Sequence, residues 1–335
     1  MFVSLFILRF VNLGYSQYIP DETTVLDYIR VNQQFFSAEF LLGQRKGPLQ
    51  FVVAYLPYTF THDVFNELVM RIPFAFASCA ALFFFYRFVL NISKSKIAAL
   101  SSTFILGVNG FLIAFGRIVQ YQNLNLLFSF VGLYLYSVVL EEKDFFKNKK
   151  LLIFCLGTLS FVLSFLSHWD VIFVLVPVVY LLYKIFLKNR SYKEILTQIF
   201  LFILLVAPFM FFYLLNFSNT GNVDYFNSRI SLLDPSYLTT KFSDYLFKIK
   251  LYNPFLFLEF LIFFVFLGLF SKNKLKSLVI GWSVFNFVFF VLFFKTAGTH
   301  IYNIFIPLSV LFGFGFNFVF NFFSNKFYKF FISAA

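Results

Sequence analysis

Long runs of apolar residues, broken by short polar segments, make up most of this chain. A bilayer core of about 30 Å takes about 20 apolar residues of helix. Ten runs approach or reach that length: 2–19, 69–90, 97–115, 123–140, 151–167, 171–187, 194–216, 255–270, 277–294 and 303–322. The pattern predicts an all-α, polytopic membrane protein of about ten transmembrane helices, in one membrane-embedded domain over residues 1–335. The first run opens at Met1 without a basic n-region or a small-residue cleavage site, so it reads as a retained span. An eleventh run, Pro48 to Phe60, is too short to cross and is bracketed by Pro48 and Pro57. It reads as a non-spanning helix. Val25, Leu26, Ile29, Phe35 and Phe36 recur at helical spacing, so the long loop 20–68 is expected to carry an interfacial helix as well.

Composition closes off other classes. Hydrophobic residues make up 60% of the chain and charged residues 13%, with a mean hydropathy of +0.82. A soluble globule could not cover its surface with so few polar groups, and a disordered chain would carry far more. Cys79 and Cys155 both lie in apolar runs and read as small buried hydrophobes rather than a disulfide framework.

The formal net charge is +12, and its placement matters more than its size. Ten spans sort the loops into two sets. One set holds 91–96, 141–150, 188–193, 271–276 and 323–335, with sixteen cations and four acids once helix ends are included. The other holds 20–68, 116–122, 168–170, 217–254 and 295–302, with ten cations and ten acids. The whole excess falls on the first set, which the positive-inside rule makes cytoplasmic. Basicity here is topology, and nucleic acid is not called for. The outer set also holds His62, His168 and His300 and both long loops, 20–68 and 217–254. Any chemistry is therefore expected on the outer face.

Six polar segments stand out there. Tyr18-Ile19-Pro20-Asp21-Glu22 follows the first run; Asp21 is placed either to N-cap a short helix or to act as a carboxylate base at the membrane boundary. Arg45 and Lys46 precede Pro48 and read as snorkelling anchors or as an anion site at headgroup depth. Arg71 stands before Pro73 at the mouth of the second run and needs an acid or a phosphate as partner. Arg117-Ile118-Val119-Gln120-Tyr121-Gln122 is a polar string in a loop too short to require one. His168-Trp169-Asp170 joins two runs in a minimal turn, and Thr299-His300-Ile301-Tyr302-Asn303 opens the last run, where His300 reads first as structural or lipid-contacting. No nucleotide-phosphate or hydrolase signature is present.

The order of these segments resembles the GT-C superfamily of membrane glycosyltransferases. The nearest likeness is to the protein mannosyltransferase and aminoarabinose transferase branch, glycosyltransferase family 39. The likeness covers about residues 8–185: Asp21-Glu22 after an early span, Lys46-Gly47-Pro48-Leu49 before a short apolar run, Arg71-Ile72-Pro73, Arg117 to Gln122 and His168-Trp169-Asp170. It implies a GT-C fold and transfer of a sugar, with inversion, from a polyprenyl-phosphate donor to an acceptor hydroxyl on the outer face. It makes Asp21 the catalytic acidic residue, acting as general base, with Glu22 beside it. Arg45, Lys46, Arg71 and Arg117 become the cations for the donor phosphate. His168, Asp170, Gln120, Gln122 and His300 are candidates for acceptor or metal contact, and a divalent cation is a candidate cofactor. The implied partners are membrane lipid, a lipid-linked sugar and an acceptor that is lipid, glycan or protein, at the plasma membrane in the cell envelope. Two departures stand out. The family's Lys-Pro-Pro reads Lys46-Gly47-Pro48, which is expected to loosen that loop, and Gln120 and Gln122 stand where the family often has an acid. The chain ends soon after the last run and reads as a minimal or truncated member. The competing reading is a transporter or flippase for a lipid-linked or anionic solute, which predicts ionisable groups deep in spans and an internal repeat; only Arg9 and Glu259 lie within runs.

Overall fold

The computed structural model describes residues 1–32, 36–44, 47–141, 147–189, 192–217, 223–224, 227, 238–253, 256–294 and 298–334. Among them every regular element is helical. In order they are α1 (Phe2–Phe10), α2 (Pro20–Asn32), α3 (Ala38–Leu42), α4 (Leu49–Thr61), α5 (Glu67–Ser93), α6 (Lys96–Gly107), α7 (Gly110–Phe115), α8 (Tyr121–Glu141) and α9 (Lys147–Ser167). A 3₁₀ turn (Trp169–Val174) leads into α10 (Leu175–Asn189), followed by α11 (Tyr192–Leu215), α12 (Leu238–Tyr252), α13 (Phe257–Gly268) and α14 (Lys276–Phe293). A second 3₁₀ turn (Thr299–Ile301) opens α15 (Tyr302–Ala334).

Side-chain caps set several boundaries. Asn66 accepts from the Val69 N–H at the start of α5, and Ser95 from the Ala98 N–H at the start of α6. Between those helices Lys94 takes φ +58°, a left-handed stop.

Among the described residues, seven helices are long and apolar enough to cross a bilayer. An eighth crossing is reached if the helix pair at 243–252 and 257–268, bent by 108°, is counted as one. By length and composition the described residues therefore do not reach the expected ten. The run 2–19 yields only the nine residues of α1, because Val11 turns to extended backbone. The run 97–115 breaks into α6 and α7, because Asn109 accepts from the Phe111 and Leu112 N–H groups and starts a new helix. The run 255–270 yields the twelve residues of α13.

The described parts of the two loop sets that make the following contacts nevertheless fall at opposite ends of the bundle. At one end Lys94 pairs with Glu141, Lys188 Nζ donates to the Leu140 carbonyl (2.6 Å), and Ser95 Oγ donates to Asn317 Oδ1 (2.8 Å). At the other end Arg71 meets Glu22, Asn125 Nδ2 donates to the His168 carbonyl (2.9 Å), and Asp170 meets His300. Between them α6 and α7 together carry the chain from Ser95 to Arg117, so the alternation survives the broken helix. Helix α1 lies antiparallel along α5: Phe2 packs on Tyr86, Phe10 on Phe76, and the Leu13 carbonyl reaches Arg71. Arg9, fully buried, ties α1 to its neighbours through Ser78 Oγ (2.9 Å) and the Gly107 carbonyl (3.1 Å).

The loop between α1 and α5 folds over the polar end. Helix α2 buries Val25, Leu26 and Ile29 in a cluster with Phe51, Met70 and Phe74. Helix α4, thirteen residues long, is about 20 Å and too short to span. Both non-spanning helices read from the sequence are present. Phe35 lies outside the described residues. Helix α11 leaves Ile199, Phe200, Ile203, Leu204 and Phe211 outward, the surface expected against lipid.

Candidate active site

The polar end is built on two buried acids. Glu22 stands in the first turn of α2, which begins at Pro20, a residue suited to a first helical position. Asp21 therefore sits inside that turn and does not cap it. Glu22 Oε2 accepts from the Ile19 N–H (3.1 Å), which is one half of a capping box. Its other partners lie far away in sequence. Arg71 donates from Nε to Oε1 (2.8 Å) and from Nη2 to Oε2 (2.7 Å), and the Val119 N–H donates to Oε1 (3.0 Å). Each oxygen thus accepts two hydrogen bonds.

Arg71 is equally occupied. Nη1 donates to the Leu13 and Ser16 carbonyls and Nη2 to the Gln17 carbonyl, so all five N–H groups are used at 1% exposure. Of the two partners its position required, an acid or a phosphate, the structure supplies the acid. In this arrangement Arg71 and Glu22 are taken up by each other and by backbone, and neither keeps a free polar atom for the donor phosphate or acceptor expected of them. Tyr18 closes this corner. Its ring lies 5.2 Å from the Arg71 guanidinium and its hydroxyl donates to the Val64 carbonyl (2.7 Å). Burial, with the nearby Glu67 charge, pushes the Tyr18 phenol well above its usual range, so it stays a donor.

Asp21, one residue before Glu22, is partly exposed. Arg117 is drawn elsewhere. Nη1 donates to the Leu8 carbonyl and Nη2 to those of Val11 and Asn12, so the guanidinium closes the end of α1. Arg45 and Lys46 lie outside the described residues. The next residue, Gly47, is held at φ +83°, and a Cβ there would come 2.2 Å from the Leu166 carbonyl oxygen. Only glycine fits, and proline, fixed near φ −65°, does not. The expected loosening by the Lys-Gly-Pro departure is corrected: Gly47 lets this segment press on the end of α9.

The second acid is Asp170, at 1% exposure. His168, Asp170 and His300 converge, and His300 is buried against Asp170 rather than turned to lipid. Asp170 Oδ2 meets His300 Nδ1 (2.9 Å) and accepts from Tyr302 Oη (2.7 Å) and Asn303 Nδ2 (3.3 Å). Oδ1 lies 3.0 Å from His168 Nδ1 and 2.9 Å from His300 Nδ1. Despite that closeness it has no aligned hydrogen bond among the described residues. The Tyr121 ring stacks on His168 at 3.9 Å, and Trp169 and Phe294 lie beside His300.

The segment 117–122 joins the two acids. Val119 gives its N–H to Glu22 and its carbonyl to Gln50 Nε2 (3.1 Å), and Tyr121 covers His168. Gln120 and Gln122 lie between, buried, and neither amide has a partner for either of its polar atoms among the described residues. Buried amides without partners are uncommon in folded proteins. The sequence does not single out Gln50 at this end, and it places Tyr302 and Asn303 there without a role of their own. The polar string opening the last run was the available signal for the latter two.

An all-helical membrane bundle with its polar groups gathered at one end, under a loop of non-spanning helices, is the GT-C architecture. The sequence profile of the dolichyl-phosphate-mannose-protein mannosyltransferases matches residues 10–226, and the chain belongs to that family. Two crystal structures of ArnT from Cupriavidus metallidurans share the fold at 14% identity. The apo form superposes with a TM-score of 0.63 and the form bound to undecaprenyl phosphate with 0.65. Each match covers 94% of this chain but only 58% and 59% of the respective ArnT chain, so this protein spans less than two thirds of their length. No curated protein matches it in sequence.

Proposed function

We propose that this protein transfers a sugar from a polyprenyl-phosphate carrier to an acceptor hydroxyl, with Asp21 as the general base. One observation carries the assignment of Asp21. Its neighbour Glu22 is locked by four hydrogen bonds, so the first turn of α2 is fixed in place and Asp21 is the carboxylate of the pair left partly exposed. The acceptor oxygen attacks the anomeric carbon, its proton passes to Asp21, and the bond to the phosphate oxygen breaks with its electron pair leaving on phosphate. Direct attack of this kind inverts the anomeric centre. A phosphate leaving group needs cations rather than a general acid. Because Arg71 and Arg117 are committed to protein partners, that part falls to Arg45 and Lys46, which precede the anchored Gly47.

The test is Asp21→Asn, assayed with a radiolabelled polyprenyl-phosphate sugar. It should keep donor affinity within a few-fold and lose about 10²–10⁴ in rate. A near wild-type rate would remove Asp21 from this part. Proton NMR of the product anomer tests inversion. We place the site on the extracytoplasmic face of the plasma membrane from the charge partition. A cysteine at 244 should then react with an external reagent and one at 147 should not.

A further inference from the structure

We infer that His168, Asp170 and His300 form a binding site for a first-row divalent transition cation, held by His168 Nδ1, His300 Nδ1 and Asp170 Oδ1. One ligating atom from each residue lies within 4.8 Å of the others, and all three side chains are buried. The chemistry of the set is two imidazoles and one carboxylate, which suits zinc and its neighbours rather than calcium or magnesium.

Three further observations carry the inference. First, Asp170 Oδ1 is buried and has no aligned donor, although both Nδ1 atoms stand 2.9–3.0 Å from it. Separations near 3 Å are those of adjacent ligands around one ion with bonds of about 2.0–2.2 Å. His168 Nδ1 accepts from the Asp170 N–H (3.2 Å) and His300 Nδ1 meets Oδ2 (2.9 Å); a cation would take over both nitrogens together with Oδ1, the oxygen without an aligned donor. Second, the other oxygen is fixed from outside: Tyr302 Oη and Asn303 Nδ2 both donate to Oδ2. That is the outer support a carboxylate ligand takes, and it turns Oδ1 toward the imidazoles. Third, both rings are held by packing, His168 under Tyr121 and His300 against the stacked pair of Trp169 and Phe294. The ligands come from two places 130 residues apart in the chain, the turn after α9 and the 3₁₀ turn before α15. A bound ion ties those turns together. Three protein ligands leave at least one coordination position open. The inference does not depend on sugar transfer, and its test reads metal binding alone.

The protein is purified in detergent without a histidine tag, stripped with a chelator and titrated with zinc against a chromophoric competitor. The expected result is about one zinc per chain by elemental analysis, and d–d absorption bands when cobalt replaces zinc. His300→Ala and His168→Gln should each weaken binding at least about 100-fold, and His62→Ala should leave it unchanged. Tyr302→Phe keeps the ring packing and removes only the outer hydrogen bond. It should weaken zinc about 10–100-fold and guards against variants that fail to fold. No stoichiometric zinc in the wild-type protein, or binding that survives both His300→Ala and His168→Gln, overturns the site.

Discussion

Glu22 and Asp170 are both almost fully buried at the same end of the bundle, and their surroundings differ. Glu22 accepts two hydrogen bonds on each oxygen and faces a guanidinium whose donors are all in use. Asp170 has three partners crowded on Oδ2 and none aligned on Oδ1. Burial therefore does not distinguish the two acids; the state of their lone pairs does. The saturated pair holds backbone, since Arg71 gathers the carbonyls of Leu13, Ser16 and Gln17 and Glu22 gathers the N–H groups of Ile19 and Val119. The unsaturated group has capacity left for something else. Gln120 and Gln122 share that unsaturated character, and Asp21, next to Glu22, is partly exposed.

The sharpest way to break this contrast is Arg71→Ala. It strands a buried carboxylate and three carbonyls, and should cost about 3–5 kcal/mol in chemical denaturation. Combining Arg71→Met with Glu22→Leu should recover part of that loss, because no lone charge then remains. A smaller effect is expected at Gly47, which presses the loop carrying the first cluster onto the end of α9 beside the second. Gly47→Ala meets the Leu166 carbonyl and a left-handed φ, and should lower stability by about 1–3 kcal/mol by the same assay. The smallest change should come from Gln122→Leu. An unpartnered amide contributes no hydrogen bond to the fold, so the melting temperature should hold or rise, with a change within about 1 kcal/mol. A large loss of stability there would show that the amide belongs with the saturated group.

Much of the frame was legible in the sequence. Helices α2 and α4 followed from apolar spacing and from a run bounded by prolines. The charge count separated the two ends, because it depends on loop order and not on the length of each helix. The number of spans was not legible. Mean hydropathy is blind to a capping side chain inside an apolar run, and Asn109 with Gly110 breaks one such run in two. The Asp21-Glu22 dipeptide was visible, but its division of labour was not, because Arg71 and Val119 come 49 and 97 residues after Glu22. His300 was the harder case. Its partner lies 130 residues earlier, and local sequence carries no trace of such a pairing.

Arg9 has a consequence for the order in which the protein is made. Its guanidinium is buried in α1, and its tertiary partners, Ser78 and Gly107, are synthesised 69 and 98 residues later. At a translation rate of roughly 5–20 residues per second, α1 emerges about 5–20 s before the second of them exists. An arginine costs about 2.5–3.5 kcal/mol to insert at the centre of a spanning helix and less toward an end, where Arg9 stands in the last turn of α1. Helix α1 should therefore stay beside the insertion machinery, charge facing water or protein, until α6 arrives and its last carbonyls replace that company. Photo-crosslinks from α1 to the insertion channel should persist in nascent chains stopped short of residue 107 and fade in longer ones, and Arg9→Leu should release α1 early.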